Sequence, residues 1–204
     1  MFALVESGTI TQFPKGNKGI TIGDNQYPKT IYSLWTEAER NAIGIYTVTI
    51  DNTNKKNEEF WINTDITYTF TGSAVTGSYG TATAKRLNDE NAVDEDGNNV
   101  LDADGNQVIN YGLKTQYKNK FNAEAAALLS RTDWYVIKAA DVTDYNVPSN
   151  IATYRAAVRT KVNAMETSID NCSDVDALIT LLTYTEDSEG VVSRPLGEFP
   201  DEVV

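Results

Sequence analysis

The hydrophobic period changes once along this chain, and that change limits the folds open to it. Residues 45–51, IYTVTID, alternate: Tyr46, Val48 and Ile50 fall on one side, Thr47 and Thr49 on the other. DITYTFTG repeats the pattern with Ile66, Tyr68 and Phe70. A period of two is that of a strand. Thr-rich alternation fits antiparallel strands with one face in water. FALVESGTITQF places two short β-prone runs around Ser7-Gly8, which reads as a hairpin. After residue 120 the period becomes helical. Phe121, Ala125, Leu128 and Leu129 fit a short helix with Asn122 as its N-cap. From Pro148-Ser149, Ile151, Tyr154, Val158, Val162, Met165 and Ile169 recur every three, four or seven residues, with Arg155, Arg159 and Lys161 off that stripe. Ser173 with Asp176 opens a further helix through Leu178, Ile179, Leu181 and Leu182.

These periods predict an α+β chain: an N-terminal antiparallel β-rich region, then a C-terminal helical hairpin and an acidic tail. The expected domains are a β-rich domain over residues 1–118, a helical domain over 119–183 and an acidic extended tail over 184–204. The β-rich domain holds a short capped helix at about 36–43. There Thr36 and Glu39 have capping-box spacing and Gly44 can take the left-handed C′ position. It also holds an acidic stretch of β-turns at about 88–110.

Composition removes several chemistries. The chain has no histidine and one cysteine, Cys172. Ser-His-Asp and Cys-His nucleophiles, internal disulfides and the usual zinc sites are therefore excluded. Acids near Cys172 argue against a reactive thiolate. The net charge is −12. Residues 88–110 carry seven acids and no base, and residues 172–204 carry eight acids against Arg194 alone. A phosphate backbone needs clustered Lys and Arg, so nucleic acid is not an expected partner. No apolar run is long enough to span a bilayer. The start MFALVESGTITQF has neither a basic region nor a long apolar one, so no signal peptide is expected and the chain reads as cytoplasmic.

DEDGNNVLDADG repeats Asp-x-Asp-Gly eight residues apart. In an EF-hand register Gly97 and Gly105 would each be position 6, but the first ligand would be Ala92 or Val100 and the twelfth Ala103 or Tyr111. The loop chemistry needs a ligand first and a bidentate Glu last. Two Asx-type turns fit better, with Ala92-Val93, Val100-Leu101 and Val108-Ile109 as short strands of a meander; a weak cation site is the alternative. GNKGIT is not a phosphate loop, because Lys18 precedes Gly19. Asp133-Trp134 could present a sugar platform, but the favoured reading is a turn and an aromatic anchoring the helical part on the β part. Asp141 and Asp144 are a candidate carboxylate pair whose spacing alone is uninformative. No enzyme, cofactor or metal is expected. The remaining enzymatic hypothesis, a carbohydrate-cleaving carboxylate pair, would need two carboxyls about 5–9.5 Å apart in a cleft.

LLSRTDWYVIKAADVTDYNVPSNIATYRAAVR resembles the C-terminal segment of bacteriophage tail fibre assembly proteins. Their pattern of Leu-x-x-Thr/Ser-Asp-Trp, Pro and a Tyr-Arg helix is met by Leu129, Thr132-Asp133-Trp134, Pro148 and Tyr154-Arg155. QYPKTIYSLWTEAERNAIGIY and DEDGNNV are similar to stretches of related phage tail proteins. The resemblance covers about a third of the chain, and the helix and acidic tail after Tyr154-Arg155 depart from it. It implies a chaperone-like protein that binds a tail fibre in the host cytoplasm, with Trp134, Tyr154 and Arg155 as partner-binding residues. The alternative is a tail, baseplate or fibre-attachment subunit that stays in the virion. A homo-oligomer is open in either case.

Overall fold

The computed structural model describes residues 1–203. It divides into two compact units, 1–83 and 84–204. Mixed α and β content, with a β-rich N-terminal unit and helices towards the C-terminus, agrees with the α+β expectation.

In the first unit β1 (Phe2–Glu6) and β2 (Thr9–Gln12) form the expected hairpin. Ser7 and Gly8 have φ of 50° and 79°, the left-handed pair that a two-residue loop requires. β3 (Ile20–Ile22) and β4 (Asn25–Tyr27) make a second hairpin, followed by α1 (Ile31–Leu34) and α2 (Glu37–Ala42). The capping box is present: the Thr36 amide donates to Glu39 Oε2 at 2.8 Å, and the Glu39 amide to Thr36 Oγ1 at 3.3 Å. Gly44 closes α2 at φ 83°, and its carbonyl accepts from the Val5 amide at 2.8 Å. β5 (Ile45–Asp51), β6 (Trp61–Ile62), β7 (Ile66–Phe70) and β8 (Val75–Tyr79) complete the unit, and β9 (Thr83–Ala84) straddles its end.

The main sheet has the order β2-β1-β5-β8-β7. It is mixed, not purely antiparallel, because β8 pairs parallel to β5. After β5 the chain goes first to the edge as β7, then returns through Gly72 as β8 between them. Alternation sets which side chains share a face; connection order sets strand direction, so the period could not reveal this. The single wet face also needs correction. Thr47 and Thr49 are exposed as expected. At the other end of that face, Leu4 and Ile45 are buried under Ile20 and Ile31 from β3 and α1. On the opposite face Ala3, Val5, Val48 and Val75 are buried with Tyr46, Tyr68 and Phe70 around them. β1 is thus covered on both sides.

In the second unit β10 (Glu90–Asn91) and β11 (Ile109–Asn110) pair across the acidic repeat. The two expected turns are there. Asp94 Oδ1 accepts from the amides of Asp96 and Asn98, Asp102 Oδ1 from those of Asp104 and Asn106, and Gly97 and Gly105 both have φ of 82°. The strands do not form a meander. The Ala92 amide donates to Val108, Val100 to Ala92 and Val108 to Val100, at 2.8–2.9 Å. The result is a three-armed junction with apolar–amide pairs Val93–Asn99, Leu101–Gln107 and Ile109–Asn91 in its arms.

Four helices follow: α3 (Leu113–Ser130), α4 (Asp133–Asp141), α5 (Ser149–Asp170) and α6 (Val175–Leu182). The expected boundary at 118 falls inside α3, and Asn122 is not its N-cap. The helix starts earlier because distant groups satisfy its first amides: Gly112 donates to Asp89 Oδ1, Leu113 to the Arg86 carbonyl and Lys114 to the Leu87 carbonyl. Nothing local to residues 110–115 signals that. α5 buries its whole predicted stripe, chiefly against α3, where Leu113, Tyr117, Phe121 and Ala125 are buried. Lys118–Asp170 at 2.8 Å and Asn122–Glu166 at 2.6 Å fix an antiparallel register. α6 is capped by Asp174, not Ser173: Asp174 Oδ1 accepts from the Ala177 amide at 2.8 Å.

The tail is not extended over its described length; Val204 lies outside the described residues. β12 (Thr185–Glu186) and β13 (Val192–Ser193) make a hairpin, and Asp187–Gly190 repeats the Asx turn of the acidic arms. Leu196 is then buried, its amide on the Leu181 carbonyl and its carbonyl on Lys161 Nζ. Arg194 lies over the rings of Phe121 and Tyr184. These contacts are long in sequence separation, so an acidic, Pro-containing stretch gave no local hint of them.

Candidate protein-docking surface

Four of the residues marked by the phage resemblance, Leu129, Thr132, Asp133 and Arg155, meet at the joint between α3 and α4. Leu129 ends the apolar run of α3, and Thr132 stands just before α4. Thr132 is buried, and both its amide and its hydroxyl donate to the Leu129 carbonyl at 3.0 Å. Arg155 reaches the same place from α5. One guanidinium nitrogen donates to the Leu129 carbonyl and to Thr132 Oγ1, each at 2.7 Å, and the other pairs with Asp133 Oδ1 at 2.8 Å. Arg155 is buried, which corrects its expected place off the apolar stripe: four residues after Ile151 and three before Val158, it stands on the edge of that stripe, where α4 begins beside it. The planar fork of Arg suits three acceptors in one place; Lys would present a point charge.

Two of the three expected partner-binding residues are therefore internal. Tyr154 is 3% exposed and Arg155 8% exposed. Their side chains pack and position; they present no surface. The Tyr154 hydroxyl is buried without a hydrogen-bond partner, and burial pushes its pKa up. Trp134 is 51% exposed, which corrects its expected role as an anchor on the β part. Its ring lies 3.7 Å from that of Tyr135, centroid to centroid, with Lys138 over it.

Around Trp134 the apolar surface continues. α4 contains no buried residue. Val136 and Ile137 are exposed, as is Val142 just beyond its end. At 100° per residue, Ile137 falls opposite the half-buried Tyr135 and Ala139, with Val136 and Ala140 on one flank of it and Trp134 on the other. Sequence reasoning missed Val136, Ile137 and Val142. The pattern DWYVIKAAD is apolar enough to be read as core, and one helix of nine residues does not reveal which side its neighbours cover.

The other candidates are weaker. The Asp94 and Asp102 carboxylates are held below the usual range by the amides that converge on them, first those of Asn98 and Asn106. Those bonds supply the turn chemistry without a cation. Among the described residues, no cluster of three or more His, Cys, Asp or Glu is placed to hold a metal ion. Cys172 is buried, and that burial pushes its thiol up, away from the thiolate. A pocket of about 420 Å³ in the first unit, between Gln12 and Ile20 and Tyr32, has no carboxylate in its lining, so it cannot serve a carboxylate-pair hydrolase. Among the described residues, no helix is long and apolar enough to cross a membrane. In comparisons with known proteins, no family model, curated protein or solved structure matches this chain.

Proposed function

We propose that this chain is a phage tail fibre assembly protein that holds a fibre subunit through the exposed apolar side of α4. The observation that carries the reading is Trp134, Val136, Ile137 and Val142 standing in solvent on and beside a helix fastened at its start by Arg155. Large apolar groups clustered on a surface are characteristic of docking sites, and Trp is a frequent anchor in them. The residues that resemble the tail fibre assembly proteins supply both parts: Thr132, Asp133 and Arg155 make the fastening, and Trp134 begins the face. Burial of apolar fibre surface before or during its assembly would drive the contact.

Co-expression with a tail fibre subunit, followed by pull-down, tests the reading. Retention of the fibre subunit is expected, and its absence overturns the proposal. Mass spectrometry of purified particles separates a transient role from a structural one: a chaperone is absent from the virion, whereas stoichiometric copies there identify a tail component.

A further inference from the structure

The loop joining β2 to β3 folds over the 420 Å³ pocket of the first unit. That volume lies in the range of small-molecule sites. Its lining brings Lys15, Lys18, Gln12, Asn17, Phe13 and Tyr32 to one place, and no acid is among the lining residues. Among the described residues neither lysine is ion-paired, which stands out in a chain of net charge −12. Behind the lining, the Phe2 ring packs on Tyr32 at 4.9 Å. The Tyr32 ring lines the pocket, while its hydroxyl is enclosed by protein and does not open into it. Gly16, at φ 73°, gives the loop the left-handed turn that carries it past Phe2 and Tyr32. The next element is β3 and not a helix, so no helix N-terminus assists; the charge must come from the lysines.

We propose that this pocket binds a small organic anion, a phosphate or carboxylate on a compact polar body. Lys15 and Lys18 balance the charge, the Tyr32 ring forms part of the wall, and the amides of Gln12 and Asn17 meet the polar body. The site is independent of α4 and of the fibre reading.

Calorimetric titration of the full chain at low salt tests it, with glucose 6-phosphate, glucuronate and uncharged glucose as probes. At least one anion binds and glucose does not; the stronger anion identifies the headgroup. Lys15 and Lys18 are exposed, so K15A/K18A should keep the fold, checked by circular dichroism, while weakening binding about tenfold or more. The proposal is overturned if neither anion binds at about 10 mM, if glucose binds as well as the anions, or if K15A/K18A binds like the wild type.

Discussion

Gly44 shows how much one position can carry. It ends α2 in a left-handed conformation and lies so close to β1 that an added Cβ would sit 2.6 Å from the Val5 carbonyl oxygen. Gly44→Ala therefore combines backbone strain with a clash against backbone that cannot rotate away. It should cost about 2 kcal/mol or more, read as a lowered urea midpoint; an unchanged midpoint would refute the close approach. Asp94 and Asp102 act at the same scale. Their folded pKa values are depressed, so the stability they add is present above the unfolded carboxylate pKa. It is lost as pH falls through the lower folded values, that is, below about pH 4. Carboxyl NMR should place both titrations below that of an Asp model peptide, and a midpoint at or above the peptide value contradicts the turn bonding. Millimolar calcium should leave Tm unchanged, since the turn already engages these oxygens; a rise of several degrees would restore the cation alternative.

At the scale of elements, legibility follows the range of the interactions. The α5 stripe, the Ser7-Gly8 hairpin, the Thr36 capping box and both Asp-x-Asp-Gly turns could be read because each is decided within a few residues. The start of α3 could not, because Asp89 and the carbonyls of Arg86 and Leu87 cap it from outside. Nor could the parallel pairing of β8, the closure of the three-armed junction or the docking of Leu196. The site was legible in the same uneven way. Thr132-Asp133-Trp134 and Tyr154-Arg155 were found, but the burial that separates fastener from face appears only when α3, α4 and α5 meet. Two substitutions test the packing. Met165→Ala empties a fully buried position on α5 and should cost about 2–5 kcal/mol. Arg155→Met leaves the Leu129 carbonyl and Thr132 without their guanidinium and should cost about 2–4 kcal/mol. Hydrogen exchange should show the loss of protection concentrated in α4 and the end of α3. Uniform loss across the unit would mean that Arg155 is no local fastener.

For the whole molecule, each unit carries a different surface chemistry. The first holds a pocket with uncompensated lysines. The second holds acidic arms and an apolar helix. A net charge of −12 raises the cost of bringing like copies together. The central claim is that α4 is the face that meets a partner and Arg155 only holds it there. The most direct measurement is the pull-down of the co-expressed fibre subunit by wild-type chain and by W134A/I137A. Both side chains are exposed, so the variant should melt like the wild type and yet retain about tenfold less fibre subunit. Equal retention by the two, or none by the wild type, would contradict it.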